Sequence, residues 1–334
     1  KNNIKNEASV EIGGGSFDQK RGSLTIQKEL KNSDILFNYN RKESEGYRYN
    51  TDYKNDEFFI KSSFKIKDQK ISAIGVFNER KFGANGFYAS PLAIDQYEET
   101  QASLVGFSTT YKKNDFTIKP KLYWKRNQDM YVYLRQDPSV YRNLHISNKV
   151  GVELNGSKLN SLGNLGLGFD LSKVSLSSNN LGQRNRTMLN MFIEQQVKFN
   201  NDKIDFTPGI AISYFSDVST NLNFKDNFFN NLFFYPGVDF GYRFNENMKL
   251  YSNVGYTYRI PTYTDLFYSS PTTVGNENLK LEKALTKEIG LKYLKNNFNL
   301  NLSLYRRDAS DIIDYVRNSE SEPWQANNIR EIIT

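Results

Sequence analysis

The chain has 334 residues, with 44 basic and 37 acidic side chains giving a net charge of +7. That excess is scattered without a run of five like charges, so a nucleic-acid-binding arm has no support, and the lack of cysteine removes disulfides, iron–sulfur clusters and thiol catalysis. A single histidine, His145, leaves two-histidine zinc motifs without a second ligand and a Ser-His-Asp arrangement with one candidate base, so no enzyme is read here. What the composition offers instead is rings: 22 tyrosines, 24 phenylalanines and 2 tryptophans on a chain only 38% hydrophobic.

The opening Lys1-Asn2-Asn3-Ile4-Lys5-Asn6 is polar throughout and reads as no signal peptide. The least interrupted apolar stretch, Thr207 to Ser216, is about ten residues against the ~20 that a spanning helix needs. A helical membrane protein is excluded; a membrane β-barrel is not, because its strands alternate and never form a long apolar run.

Alternation is the pattern that organises the chain. Phe58, Ile60, Phe64 and Ile66 share one face, with Ser62 the exception, and Phe116, Ile118, Pro120, Leu122 and Trp124 share another. Leu165, Leu167, Phe169 and Leu171 follow, then Ile204, Phe206, Pro208, Ile210, Ile212 and Tyr214, and finally Phe298, Leu300, Leu302 and Leu304. Successive side chains on a strand point to opposite faces, so each segment has an apolar and a polar side. Short polar turns punctuate the strands at Lys31-Asn32-Ser33-Asp34, Lys67-Asp68-Gln69-Lys70, Lys112-Lys113-Asn114-Asp115, near Asn160, and at Asn200-Asn201-Asp202, Asn245-Glu246-Asn247 and Asn296-Asn297. They lie about 40–50 residues apart, a period shared by β-propeller blades. Between consecutive tight turns a longer connection is expected, as at Gly83 to Gln96, Met130 to Arg142, Asp217 to Phe229 and Pro261 to Glu282. One end of the structure is therefore predicted to carry tight turns and the other long loops.

A propeller would place four short strands in each period, and a soluble sandwich would not accept Lys, Asn and Asp on its inner face. Here each period holds two legs long enough for a tilted membrane-spanning strand of ~9–11 residues with an extension. The fold class is accordingly all-β, a transmembrane antiparallel up-and-down barrel of about fifteen strands plus the start of a sixteenth at Asn327 to Thr334. Tyr47, Tyr49, Tyr53, Phe87, Tyr88, Tyr131, Tyr133, Tyr256, Tyr258, Tyr263 and Tyr268 fall near strand ends or in long loops, where a ring anchors at the lipid interface.

Three other features attract attention without carrying chemistry. His145 lies on a predicted strand, where a satisfied or solvent-facing imidazole is the better reading than a ligand; Gly13-Gly14-Gly15 lacks the helix and Lys-Ser/Thr of a phosphate loop; and Asp308, Asp311 and Asp314, at a predicted strand–loop junction, could bind a hard cation but are better read as a solvated edge.

Tyr256-Thr257-Tyr258-Arg259-Ile260-Pro261-Thr262-Tyr263-Thr264-Asp265-Leu266-Phe267 leads into Gly275-Asn276-Glu277-Asn278-Leu279-Lys280-Leu281-Glu282-Lys283. Together these resemble the R-x-P…GN-x-x-L-x-x-E segment of TonB-dependent outer-membrane receptors. Tyr305-Arg306-Arg307-Asp308-Ala309-Ser310-Asp311-Ile312-Ile313-Asp314-Tyr315, Gly46-Tyr47-Arg48-Tyr49-Asn50-Thr51-Asp52 and Gly83-Ala84-Asn85-Gly86-Phe87-Tyr88 are similar to the cobalamin-receptor-like branch of that family. The resemblance implies a 22-stranded outer-membrane barrel of which residues 1–334 would be about 15–16 strands. Ala8 to Gly15 would be the first of them, with an N-terminal plug, its TonB box and the last strands absent from this chain. It implies active import of a scarce, bulky nutrient, cobalamin or another corrinoid, energised by TonB–ExbB–ExbD through the plug. A ferric siderophore or haem is the alternative ligand. A structural barrel subunit of a larger outer-membrane complex, or one with a surface lipoprotein partner, is the alternative of another class.

Within such a receptor the ligand surface would be the long loops, with Tyr88, Tyr131, Tyr133, Phe267 and Tyr268 as candidate contacts, since aromatic loops suit a bulky, partly apolar ring ligand. No cofactor is required. The resemblance does imply loop-ordering calcium, for which Asp52 and Asp56 would be ligands, although Arg48 and Asn78 stand where further aspartates are expected.

Overall fold

The computed structural model describes residues 6–66, 69–88, 90–219 and 231–334. Its first strands are β1 (Glu7–Gly15), β2 (Gln19–Glu29), β3 (Ser33–Ser44), β4 (Tyr53–Ile66), β5 (Gln69–Gly83), β6 (Tyr97–Lys113), β7 (Phe116–Val132), β8 (Arg142–Asn160) and β9 (Gly163–Ser178). There follow β10 (Gly182–Phe199), β11 (Ile204–Ser219), β12 (Asn231–Asn245), β13 (Met248–Arg259), a single-turn helix α1 (Tyr263–Phe267), β14 (Thr273–Val274), β15 (Glu282–Lys295), β16 (Phe298–Val316) and β17 (Trp324–Ile333). The strands all belong to one 17-stranded sheet. Setting aside the two-residue β14, each long strand pairs antiparallel with the next in sequence, from β1–β2 through β13–β15 to β16–β17. This is an up-and-down meander, the topology expected from the alternation. Its sixteenth long strand begins at Trp324, three residues earlier than the sequence suggests. Among the described residues β1 and β17 are not paired with each other.

Register turns the alternation of single strands into continuous surfaces. Phe107, Leu122, Val152, Leu171, Leu189, Tyr214 and Leu232 stand directly opposite one another across seven strands. One residue further along, Ser108, Lys121, Glu153, Asp170, Asn190 and Ser213 form the corresponding row on the other face. The polar row is laddered by hydrogen bonds: Lys121 Nζ donates to Glu153 (2.7 Å), Asn190 to Asp170 (3.4 Å) and Ser213 Oγ to Asn190 (2.5 Å). The apolar row is the lipid face, and the polar row faces the lumen, where water and hydrogen-bonding neighbours are available.

Three lumen-facing positions repeat one packing device. Tyr123 stands opposite Gly151, Phe192 opposite Gly168 and Tyr251 opposite Gly290. A Cβ on any of the three glycines would lie within 2.4 Å of the facing ring. Each ring therefore lies flat along the sheet over a residue with no side chain and covers backbone that would otherwise be bare.

Asparagine and aspartate close several tight turns because they tolerate the left-handed region: Asn114, Asn200, Asn201, Asp202 and Asn296 have φ between 50° and 64°. At the opposite end the loops are long, with two exceptions to the expectation. β1 and β2 are joined by residues 16–18 and β9 and β10 by residues 179–181. In the latter, Ser178 Oγ accepts from the amides of Asn180 (3.1 Å) and Leu181 (2.8 Å), so side-chain capping replaces the long connection. The connection read from Asp217 to Phe229 lies from residue 220 onward outside the described residues, as do Lys67 and Asp68 of the second tight turn.

On β7 the outward apolar positions end at Trp124, and Arg126 and Gln128 follow on the same side. Strands of 17–19 residues such as β6, β7, β8 and β16 are longer than the ~9–11 residues a tilted strand needs to cross the bilayer. Their surplus lies at the long-loop end, which places that rim outside the membrane.

Candidate functional site

Aromatic side chains from three loops and one strand meet on the inner side of the rim. The rings of Phe87 and Tyr88 are 4.8 Å apart edge to face, Tyr88 and Tyr131 5.4 Å, and Tyr131 and Tyr141 6.3 Å. The Tyr141 hydroxyl is 3.4 Å from that of Tyr268. Edge-to-face geometry at these separations is the favoured one for aromatic pairs. Gln96, with 0% of its surface exposed, sets the spacing: its Oε1 accepts from the Tyr88 amide (3.1 Å) and its Nε2 donates to the Tyr131 hydroxyl (2.8 Å). Tyr88 in turn donates to Glu98, and burial together with that carboxylate pushes the Tyr88 hydroxyl pKa well above its ordinary value. Asn143 donates to the Tyr141 hydroxyl (3.0 Å). Below the rings, Asp129 stands opposite His145, whose Nδ1 is 2.8 Å from Ser178 Oγ. The surface is thus a run of tyrosines edged by carboxamides and carboxylates.

The far side of the run is held by residues 260–281, and the motif residues of that segment build the support. Thr262 caps α1 by accepting from the Asp265 amide (3.1 Å), while Asp265 accepts from the Thr262 amide (2.9 Å), a reciprocal capping box. Arg259 donates from Nε and Nη2 to both oxygens of Glu282 (2.7 and 2.6 Å) and from Nη1 to Asp265 (3.1 Å). Glu282 also accepts from the Ile313 amide (2.8 Å). At Gly275 any Cβ would fall 2.7–2.9 Å from the backbone of α1, so only glycine lets the loop lie against it. Asn276 donates to the Ala326 carbonyl (3.1 Å), and Leu266, Leu279 and Ala326 form a small buried core. From β10, Arg186 grips Asp217 (2.5 and 2.6 Å) and donates to the Pro261 carbonyl (3.0 Å). The guanidinium of Arg184 lies 3.6 Å over the Phe267 ring. The R-x-P…GN-x-x-L-x-x-E residues therefore anchor a loop inside the rim rather than present groups to a ligand.

Of the candidates named from sequence, Tyr88, Tyr131 and Tyr268 lie along the run. Phe267 turns instead toward Arg184 and lines an adjoining cavity of about 640 Å³ together with Tyr268, Asn180, Asn276 and Gln325. Tyr133 pairs through its backbone amide with the Tyr141 carbonyl (3.0 Å), and its ring is exposed beside the run. Gln96, Glu98 and Tyr141 were not foreseen. Tyr141 was legible as one more tyrosine closing a long connection, whereas nothing in the sequence distinguishes a buried glutamine from the other polar residues of a loop.

Asp52 and Asp56 do not converge. Both oxygens of Asp52 are taken by Arg135 Nη1 and Nη2 (2.6 and 2.9 Å), and Asp56 accepts from the Tyr39 hydroxyl (2.6 Å). Among the described residues no group of three or more His, Asp or Glu is arranged to hold a metal. The Arg135 guanidinium holds the Asp52 carboxyl below its ordinary range. A depressed carboxylate pKa contributes stability that is complete above the unfolded value of about 3.9 and is lost as pH falls through the lower, folded value. Protection of residues 45–52 from protease is thus expected to be unchanged between pH 7 and 5 and to fail only below pH ~4; titrated limited proteolysis checks this.

An open meander with an apolar outer face, a polar inner face and loops gathered at one end has the form of an outer-membrane barrel wall. Residues 7–332 match the family model described as TonB dependent receptor-like, beta-barrel. The chain belongs to that family, which lies in the outer membrane. It is 27% identical over 85 residues to the vitamin B12 transporter BtuB of Vibrio vulnificus (strain YJ016), a stretch covering 25% of this chain and 13% of that protein. Solved structures of the same shape include the copper transporter OprC (TM-score 0.78, 13% identity, 98% of this chain and 59% of that one). The FrpB iron transporter from Neisseria meningitidis, F5-1 variant, superposes equally well (0.78, 14%, 99% and 59%). So does the hemophore receptor HasR of Serratia marcescens, solved with its hemophore HasA and heme (0.77, 14%, 98% and 59%). At these identities the likeness is one of fold. The chain spans 59% of the length of those structures.

Proposed function

We propose that this barrel wall belongs to a TonB-coupled importer whose rim takes a bulky ligand with an apolar face and many hydrogen-bonding groups, a corrinoid such as cobalamin in the first instance. The observation that carries the reading is the tyrosine run Phe87, Tyr88, Tyr131, Tyr141 and Tyr268, set by a buried glutamine and bordered by Asn143, Asn179 and Asn180. Rings supply broad apolar contact at small entropic cost, and the amides and hydroxyls between them match amide-rich ligands. Glu98 and Asp129 make this side of the rim acidic, which opposes a polyanionic iron chelate more than a neutral corrinoid. Likeness to the B12 transporter BtuB over 85 residues supports the same ligand. The TonB–ExbB–ExbD complex would supply the energy.

Haem or a ferric siderophore is the second reading, favoured by the iron and haem receptors among proteins of the same shape. The test is growth rescue of a host lacking its own receptors, with the protein expressed from its complete native reading frame. Rescue on nanomolar cobalamin that disappears without TonB is the expected result. Rescue on haem or a ferric siderophore alone would move the ligand to the second reading. Rescue on none, with stoichiometric copurification of other outer-membrane proteins, would make the chain a structural subunit.

A further inference from the structure

Three rim loops, residues 45–52, 84–96 and 133–141, converge on one cation that belongs to the chain. Arg135 holds both oxygens of Asp52, donates from Nη1 to Asn50 Oδ1 (3.0 Å), and lies 4.4 Å over the Tyr97 ring. Its own amide donates to the Asp95 carbonyl (2.8 Å). Around this centre the first two loops are sewn together. Asn50, only 9% exposed and in the left-handed region at φ 51°, donates to the carbonyls of Ile94 (2.8 Å) and Gln96 (2.6 Å). Tyr49 donates to Asp95 (2.5 Å), Arg48 to the Asn85 carbonyl (2.9 Å), and Asn85 Nδ2 to the Tyr49 carbonyl (2.7 Å). The amides of Gly83 and Asn85 donate back to the carbonyls of Asp52 (2.9 Å) and Asn50 (3.2 Å). Gly83 has to be glycine, since a Cβ would come within 2.4–2.6 Å of Asn50.

The knot reaches the tyrosine run through Gln96. Its carbonyl accepts from Asn50, and its side chain fixes Tyr88 and Tyr131. The carboxylate and carboxamide oxygens that a hard cation would gather from neighbouring loops are here already turned to a planar five-donor fork. A guanidinium matches a carboxylate in two parallel bonds and needs no dehydration of a free ion. These residues therefore do not fit a calcium ion.

We propose that Arg135 is the resident cation of the rim: it orders the three loops without metal and, through Asn50 and Gln96, positions Tyr88 and Tyr131 for the ligand. The last step rests on the import function proposed above; the ordering step does not.

The two are separated by measuring loop order directly. Hydrogen exchange at Gly83, Ala84 and Asn85 is followed on the full protein in detergent, with added calcium or EDTA, for wild type, Arg135→Gln, Arg135→Lys, Asp52→Asn and the charge swap Asp52→Arg/Arg135→Asp. Wild-type exchange is expected to ignore both calcium and EDTA. Arg135→Gln and Asp52→Asn should each speed exchange about tenfold, the scale on which a charge-assisted pair controls local opening. Arg135→Lys, which keeps the charge but not the fork, should fall between, and the swap should recover part of the protection. Protection that EDTA removes and calcium restores would overturn the proposal, as would an Arg135→Gln protein whose exchange is unchanged. If loop order follows Arg135 but cobalamin affinity does not, the ordering stands and the positioning step is overturned; a wild type that binds no cobalamin overturns the ligand reading instead. Unchanged heat-modifiable migration of each variant establishes that the barrel itself is folded.

Discussion

Arg186→Ala is expected to destabilise the barrel by about 3–5 kcal/mol, the cost of removing one partner from a buried ion pair. The pair is the most enclosed among the described ion pairs, with side chains 11% and 13% exposed. Removing the guanidinium leaves the largely enclosed Asp217 carboxylate without its partner and takes the donor from the Pro261 carbonyl, and the ring of Tyr263, 4.8 Å from the guanidinium, loses its cation. Because Pro261 opens the segment that carries α1, the effect should spread from a lumen-facing strand to the rim. Urea unfolding in detergent should show the lowered midpoint, and protease should cut within residues 260–281 at doses the wild type resists. The pair replaced together by Arg186→Met and Asp217→Leu should recover much of the loss, since desolvation offsets most of the Coulombic gain of a buried pair. An Arg186→Ala protein as stable as wild type would show that the Arg259 clamp and the small apolar core hold the loop without this pair.

How far the sequence could be read follows from what each feature depends on. Strand direction and face are local, because a period of two is written in every segment from Phe116 to Trp124 or Phe298 to Leu304, and the meander follows once the turns are found. The lumen row of Lys121, Glu153, Asp170 and Asn190 is local in the same sense; only its register waits for the fold. The β9–β10 turn was missed because a run of Ser and Asn is equally a loop or a set of caps. The rim depended on contacts between residues 83 and 85 positions apart, Arg135 with Asp52 and with Asn50. No periodicity encodes such pairs. The tyrosines of the run could be picked out because ring-rich loops are unusual, but the glutamine that spaces them could not. The family motif was recognisable as a string, yet its physical meaning, an arginine clamped between Glu282 and Asp265 and a glycine under α1, needed the packing.

At Tyr131 the ring and the hydroxyl are expected to separate into two measurable effects. Tyr131→Ala removes the centre of the run, with rings on both sides at 5.4 and 6.3 Å, and leaves Tyr88 and Tyr141 without the partner that fixes their angles. Central aromatic anchors typically cost 2 kcal/mol or more on truncation, so cobalamin affinity should fall by at least ~30-fold, read by isothermal titration on the full protein. Tyr131→Phe keeps the ring and removes only the oxygen that accepts from Gln96 Nε2. Gln96 is fully buried, so its amide would be left without that partner at a cost of about 1–3 kcal/mol to the fold, while affinity should change by less than about threefold. Gln96→Leu combined with Tyr131→Phe removes both polar ends of that bond but takes the acceptor from the Tyr88 amide, so it should return only part of the lost stability and restore no ligand contact. If Tyr131→Ala binds cobalamin as wild type does, the run is an interfacial girdle and the ligand surface lies elsewhere on the rim, with the cavity beside Arg184 and Phe267 next in line. If Tyr131→Phe instead loses affinity in step with Tyr131→Ala, the hydroxyl itself meets the ligand, and Gln96 orients a donor rather than a ring.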